Sequence, residues 1–332
     1  MGSPGTTTRE HVYYYIASAD NANKFLTPGG VSRDNAEPFL AQGREFSSYQ
    51  AALDWLDQEC STLIDIARDA NEVGEYQVAA IIPNLLWSYF NLTKRWTDWL
   101  DCTSSGLAAA RSSGDRNSET YLLMSQGVAF TNLRQTEQAI ASLRESIRLL
   151  HQIDDEIGLG YALQNLANAQ AQAGLLPEAL MNFQEALKLF NSHERGKAIV
   201  LISMSMAFNS VGRYAEAKAS AEEAYAIARS QGNQQAEASS LHSIGVASAG
   251  LTHTSDAASF YREALRIRRL INDKHGVAVT LHELGKIHKE FDNSTEARAC
   301  WEKSLQILSE LGSPKSAEVA ASIDALTSIQ GG

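Results

Sequence analysis

The stretch LPEALMNFQEALKLF (176–190) returns in altered form as YAEAKASAEEAYAIA from Tyr214, SDAASFYREALRIRR from Ser255 and STEARACWEKSLQIL from Ser294. A fixed internal period constrains a fold more than any single motif, because each copy must bury its apolar stripe against its neighbours. Alignment places Ala139, Ala179, Ala217, Ala257 and Ala297 in one column at spacings of 40, 38, 40 and 40, with Trp99 forty residues ahead. Four residues on stand Leu143, Phe183, Ala221, Tyr261 and Trp301; three further stand Ser146, Ala186, Ala224, Ala264 and Ser304. Small, bulky, small at i, i+4, i+7 is one face of an α-helix.

Twelve residues before each column alanine lies a second small position: Gly127, Ala167, Ser205, Gly245 and Gly285. Each repeat is therefore read as two helices, and small residues at the crossing let an antiparallel pair approach closely. Gly174 and Gly212 sit where a helix end needs a left-handed residue, and LRQ, LTHT and FDNS supply the turns elsewhere. Thr136, Ser255 and Ser294 are expected as N-caps, and Pro177 suits a first helical turn. The expected pairs are 75–92 with 96–111, 118–132 with 136–150, 158–173 with 177–191, 196–211 with 214–230, 234–250 with 254–271, and 276–290 with 294–310. Because each pair touches only its neighbours, the array is a solenoid, and the fold is all-α.

Around this array the expected division is 1–10 disordered or an added leader, 11–74 a helical cap and linker, 75–312 about six repeats, and 313–332 a capping helix and tail. Within the first part, His11–Leu26 and Tyr49–Ala70 read as helices, joined by a mobile or function-specific Thr27–Gly43 linker.

A chain of 332 residues, 44% hydrophobic and 20% charged, has ample apolar material for a core. Its net charge of −11 argues against direct nucleic-acid contact, which needs clustered Lys and Arg. No stretch reaches the ~20 apolar residues that span a bilayer, so no membrane contact is expected. The start lacks the basic and apolar regions of a secretory signal. Cys60, Cys102 and Cys300 lack CxxC spacing and read as reduced, buried thiols, which fits a cytoplasmic protein.

The small residue at position eight, Ala at twenty, aromatic at twenty-four and Ala at twenty-seven resemble the tetratricopeptide repeat (TPR); Asn165–Phe190 is the clearest copy. The 40-residue spacing, longer than the usual 34, is similar to that of signal-transduction ATPases with numerous domains (STAND). Asp54-Trp55-Leu56, Trp87, Tyr89-Phe90, Trp96 and Asp98-Trp99-Leu100 resemble the segment after the NB-ARC ATPase domain in actinobacterial antibiotic-regulatory proteins. The resemblance implies a right-handed superhelical TPR solenoid, a sensor and partner-binding arm. It would bind a peptide, a protein or a small effector, the regulator's own ATPase domain among the candidates. No GxxxxGK[ST] loop occurs, so neither nucleotide nor any other cofactor is expected here. The chain reads as the C-terminal region of such a regulator, with a stand-alone TPR scaffold as the alternative.

Catalytic motifs are absent. The His282 to His288 stretch HELGKIH invites comparison with HExxH zinc helices, but its imidazoles point about 240° apart at this spacing, so no metal is expected. In TPR proteins the concave face is lined by positions two, five, nine and twelve of each first helix. Carried over by that resemblance, position five gives Asn84, Met124, Gln164, Ile202, His242 and His282. Position nine gives Ser88, Val128, Asn168, Met206, Val246 and Lys286; position twelve gives Asn91, Thr131, Asn209 and Lys289. Amides would bond a peptide backbone, Met204 or Met206 would adapt to apolar side chains, and His242, His282, Lys286 and Lys289 would attract a carboxylate. The aromatic run Tyr13–Tyr15 and the tryptophans Trp55, Trp87, Trp96 and Trp99 read as core, and the basic cluster Arg266–Leu270 as a solvated face.

Overall fold

The computed structural model of the chain describes residues 9–26, 43–313 and 315–330. Most of the expected leader and nearly all of the expected linker lie outside the described residues. Among those described, all regular structure is α-helix, in sixteen helices. The chain divides into two compact units, Met1–Gly158 and Leu159–Gly332.

The first unit holds α1 (Arg9–Leu26), α2 (Tyr49–Glu72), α3 (Tyr76–Leu85), α4 (Trp87–Thr93), α5 (Trp96–Ser113), α6 (Arg116–Asn132) and α7 (Thr136–Gln152). Its core is aromatic. Trp99 is fully buried, stacked on Phe90 at 6.0 Å and Trp96 at 5.6 Å, with Trp87 edge-on at 6.4 Å. Trp55 is buried with Tyr15 stacked on it, whereas Trp87 is 38% exposed, so the tryptophan layer reaches the surface. Below it the fully buried Tyr89 hydroxyl donates to Asp57 Oδ1 at 2.7 Å and accepts from Arg95 Nη1 at 2.9 Å.

The helix expected over 75–92 is two helices. Pro83 has no N–H to give the carbonyl four residues back, and its ring packs where a Cβ on Gly106 would lie 2.8 Å from it. The chain breaks at Leu86 three residues later and restarts at Trp87.

The helix α8 (Glu156–Gln172) spans the division. The second unit continues with α9 (Leu176–Leu189), α10 (Glu194–Ser210), α11 (Tyr214–Ser230), α12 (Gln234–Gly250), α13 (Thr254–Leu270), α14 (Lys274–Glu290), α15 (Ser294–Glu310) and α16 (Ser316–Gln330). Its column alanines Ala179, Ala217, Ala257 and Ala297 are all fully buried. The bulky column residue seats over the small position of its own hairpin. A Cβ on Gly245 would lie 2.6 Å from the Tyr261 ring, and one on Gly285 2.3 Å from Trp301 Nε1. Ser205 and Ser304 add hydrogen bonds to the carbonyls of Ala217 and Ala278, at 2.8 and 2.7 Å. The single 38-residue spacing has a local cause: α9 has 14 residues where α10 and α11 have 17.

The turns follow the expected chemistry. Gly174 and Gly212 take φ of 80° and 76°, and Arg134, Thr252 and Asp292 adopt the same left-handed region in the LRQ, LTHT and FDNS turns. The N-caps differ from expectation. Gln135, His253 and Asn293 hold the cap positions, none with a side-chain cap bond; Thr136 and Ser294 lie one residue inside and Ser255 two. Backbone bonds already close these tight turns, as in Gln135 N–H to Phe130 O at 2.9 Å, so no hydroxyl is required. Side-chain caps stand instead at first helices, where Asp115, Asn233 and Asp273 accept from Ser118, Ala236 and Gly276 N–H groups.

Cys60 and Cys102 are buried and Cys300 is half-buried, all as free thiols. Burial pushes the Cys60 thiol up to about 11, which keeps it protonated and unreactive near neutral pH.

The basic cluster of α13 is not a solvated face throughout. Arg266 is exposed and pairs with Glu263, but Arg268 is only 6% exposed. Its guanidinium donates to Gly276 O at 2.5 Å and to the Thr280 hydroxyl, with Asp273 Oδ2 at 3.6 Å. A long side chain on the second helix thus reaches under the start of the next first helix, a path that charge pattern alone does not reveal.

Candidate ligand-binding face

In the first unit, Asn84 and Asn91 belong to different helices because of the Leu86 break. Asn84 is half-buried and donates to Ala80 O at 3.1 Å, Asn91 is exposed, and Met124 is buried at 8% exposure.

In the second unit the expected position-five residues do not line an open groove. Gln164 is buried and its Nε2 donates to Ser203 Oγ at 2.8 Å on the next first helix, α10. His282 is 5% exposed, with Nε2 at 3.1 Å from Ser322 Oγ on α16. His242 is half-buried, with Nδ1 at 3.2 Å from Thr280 Oγ1 on α14. On α10, at position twelve, Asn209 donates from Nδ2 to Ser243 O at 3.2 Å on α12, and its buried Oδ1 has no partner.

Four polar side chains assigned to a ligand therefore form a ladder between consecutive first helices: α8 to α10, α10 to α12, α12 to α14 and α14 to α16. The reason is proximity. First helices of adjacent hairpins lie side by side, so a residue aimed at the groove floor meets its counterpart about one period later. Each bond spans 34 to 40 residues of sequence, and Ser203, Ser243, Thr280 and Ser322 were the partners missed. Pairing polar residues one repeat apart would have found Ser203, Thr280 and Ser322, whereas the Ser243 acceptor is a backbone carbonyl 34 residues on that residue type does not signal.

What remains open is narrower. Met206 is 61% exposed, Lys289 is exposed, and Asn168 is half-buried. Lys286 is half-buried and already engaged, its Nζ 2.8 Å from Glu283 and 3.8 Å from Glu318. A cavity of about 550 Å³ opens among α14, α15 and α16, lined by Lys286, Lys289, Glu290, Trp301, Glu318 and Ser322. Two cations and two carboxylates share that lining, so the basic end expected for the groove is charge-balanced. The physical cause is α16, which brings Glu318 onto Lys286.

Burial, with Lys286 nearby, holds the His282 imidazole below its ordinary range against the opposing pull of Glu283 and Glu318. Burial and the cations Arg268, Lys315 and Lys286 hold His242 well below it. Both imidazoles are neutral near pH 7, so neither adds positive charge to the face. Among the described residues no cluster of three His, Cys, Asp or Glu could hold a metal ion, and no helix is long and apolar enough to cross a membrane.

Paired helices with a glycine or alanine crossing, an aromatic seated over it, and first helices stitched to one another define a TPR-type repeat protein. The comparisons with known proteins agree. The family model for anaphase-promoting complex subunit 5 (ANAPC5) matches residues 108–173, 152–206 and 189–244. The regulatory protein AfsR of Streptomyces coelicolor is 25% identical over 243 residues, covering 70% of this chain and 24% of AfsR. AfsR of Streptomyces griseus is 25% identical over 219 residues, covering 64% of this chain and 22% of that protein. The chain thus spans about a quarter of the length of these curated relatives.

Among solved structures, a STAND protein with a tetratricopeptide repeat sensor, PH0952 from Pyrococcus horikoshii, superposes with a TM-score of 0.57 at 15% identity, over 96% of this chain and 53% of that one. A Rap protein complexed with Competence and Sporulation Factor gives 0.60 at 12% identity, over 96% of each chain. The chain therefore has the fold of a TPR solenoid, shared with the repeat sensor of PH0952, and is similar in sequence over part of its length to the Streptomyces AfsR regulators.

Proposed function

We propose that this chain is the non-catalytic sensor arm of a STAND-type regulator. It binds a peptide, a protein or a small ligand along its first helices and passes the event to ATPase and DNA-binding modules. The observation that carries the reading is the ladder. Because one polar bond joins each first helix from α8 onward to the next, anything bridging several of them alters their spacing, and a ligand that prefers one spacing shifts the population toward it. The STAND sensor likeness of PH0952, the regulatory relatives and the factor bound by the Rap neighbour support the same reading.

Met206 and Lys289 are the outward contacts of this face, and the α14–α16 cavity suits a ligand carrying both charges rather than a plain carboxylate. A photo-crosslinking residue at position 206 or 289, introduced in the producing cell, is expected to give a discrete adduct. The same residue at Met181, 70% exposed on the second helix α9, is expected to give none. Equal labelling at 181 and 206 defeats the face assignment.

A stand-alone scaffold joining proteins is the second reading, favoured by the match to the ANAPC5 model. The two separate on coupling: a bound partner changes ATP turnover of the intact regulator under the first and leaves no such signal under the second.

A further inference from the structure

Two of the four ladder bonds are made by histidine. His242 and His282 lie 40 residues apart, and each leans on the aromatic ring of its own repeat, Tyr261 at 5.6 Å and Trp301 at 6.4 Å between centroids. Each then bonds a hydroxyl on the next first helix, Thr280 or Ser322. The corresponding residues of the preceding repeats, Gln164 and Ile202, do not titrate. The two histidines have different surroundings, and that difference has a chemical consequence.

The Thr280 hydroxyl accepts from the buried Arg268 guanidinium and has one proton, for Gly276 O at 2.9 Å or His242 Nδ1 at 3.2 Å. A neutral imidazole with a bare Nδ1 can take that proton. A protonated imidazole instead presents an N–H, sets a second cation against an oxygen that already serves Arg268, and must be buried with its charge. Besides burial, the charges that hold His242 low are cations: Arg268 from α13, Lys315 ahead of α16 and Lys286 from α14. The carboxylate in the cluster, Asp273, stands 3.6 Å from Arg268. His282 faces Lys286 and Lys315 too, but Glu283 on its own helix and Glu318 on α16 oppose them, with Glu318 Oε1 3.9 Å from Nδ1. A proton on His282 has a carboxylate to meet.

We propose that the His242–Thr280 pair is an acid-released latch between α12 and α14, while Glu318 lets His282 keep its place when protonated. Acidification then loosens one specific joint of the first-helix row. The depressed affinity of His242 for a proton agrees in sign. A histidine whose folded-state pKa lies below the ordinary 6.5 contributes stability that is complete above 6.5 and drains away as pH falls beneath it. The device stands independently of which ligand the face binds.

Amide hydrogen exchange on the full chain at pH 7.5, 6.0 and 5.0, scaled to intrinsic exchange at each pH, reads the joint directly. The opening constant of α12 and α14 is expected to rise by up to about tenfold per pH unit below 6.5, the limit for one proton taken up on opening, while α10 and α11 hold theirs. His242→Gln, which can bond a hydroxyl as Gln164 does, should flatten the response of α12; His282→Gln, whose imidazole is also held below its ordinary range but with carboxylates opposing, should leave the response of α12 and reduce that of α14 only in part. Should His242→Gln not fold, the imidazole nitrogen shifts of the native chain serve instead. They are expected to keep His242 neutral to lower pH than His282. An unchanged acid response in His242→Gln, pH-independent protection of α12 and α14, or a His242 that titrates at 6.5 overturns the latch.

Discussion

The two units solve the problem of burying helices in different ways. The first uses size: a tryptophan layer around Trp99, a long α2 and a break after Pro83, with each position individual. The second uses repetition: helices of nearly constant length, alanine columns with no exposed surface, and one ring dropped over one small residue in each of its last two hairpins. Irregular packing concentrates stability in a few large side chains. Regular packing spreads it over many small ones, none of which can grow.

That contrast can be broken by substitution. The largest effect is expected for Trp99→Ala, which empties the centre of the aromatic layer at a cost of about 3–5 kcal/mol. Regional hydrogen exchange should find the lost protection in residues before 158. Next comes Arg268→Ala, at roughly 3 kcal/mol, because the Gly276 carbonyl and Asp273 lose a buried charged partner. Its damage should appear at α13 and α14 in a denaturant titration followed by exchange.

Ala179→Trp is the reverse experiment, forcing bulk into a crossing with no free surface; overpacking of this kind costs about 1–3 kcal/mol, or more where the backbone cannot move. Protection should fall in α8 to α10 while the tryptophan layer is untouched. The smallest effect sharpens the second of these. Arg266→Ala, two residues from Arg268 but facing water with Glu263, should leave the melting temperature unchanged. If Arg266→Ala and Arg268→Ala melt together, the buried path of Arg268 is wrong.

The same contrast explains what could be read in advance. Column positions and left-handed turns were legible because a repeat states its constraint several times over, and Gly174, Gly212 and the LRQ, LTHT and FDNS turns all adopt the expected conformation. The break at Leu86 was not legible: a helix can carry a proline with only a kink, and the close approach of Gly106 is a tertiary fact. Nor was Arg268, since the sequence RIRRL alternates in a way that looks solvated until Asp273 and Thr280 arrive beneath it. For the site, face membership was legible but accessibility was not. Gln164, His242 and His282 lie at the register that should meet a ligand, yet the next first helix reaches them first.

Of the five tryptophans, four precede residue 100 and Trp301 stands alone in the second unit. Its indole is nearly fully buried, donates to His282 O at 3.0 Å and lies against the His282 ring. Replacing the four others by phenylalanine would leave one tryptophan, excited apart from the tyrosines at long wavelength and quenched or released by the charge of the imidazole beside it. The C-terminal cavity, which Trp301 also lines, carries its own optical reporter, so occupancy there would be visible as a change in emission without any attached dye.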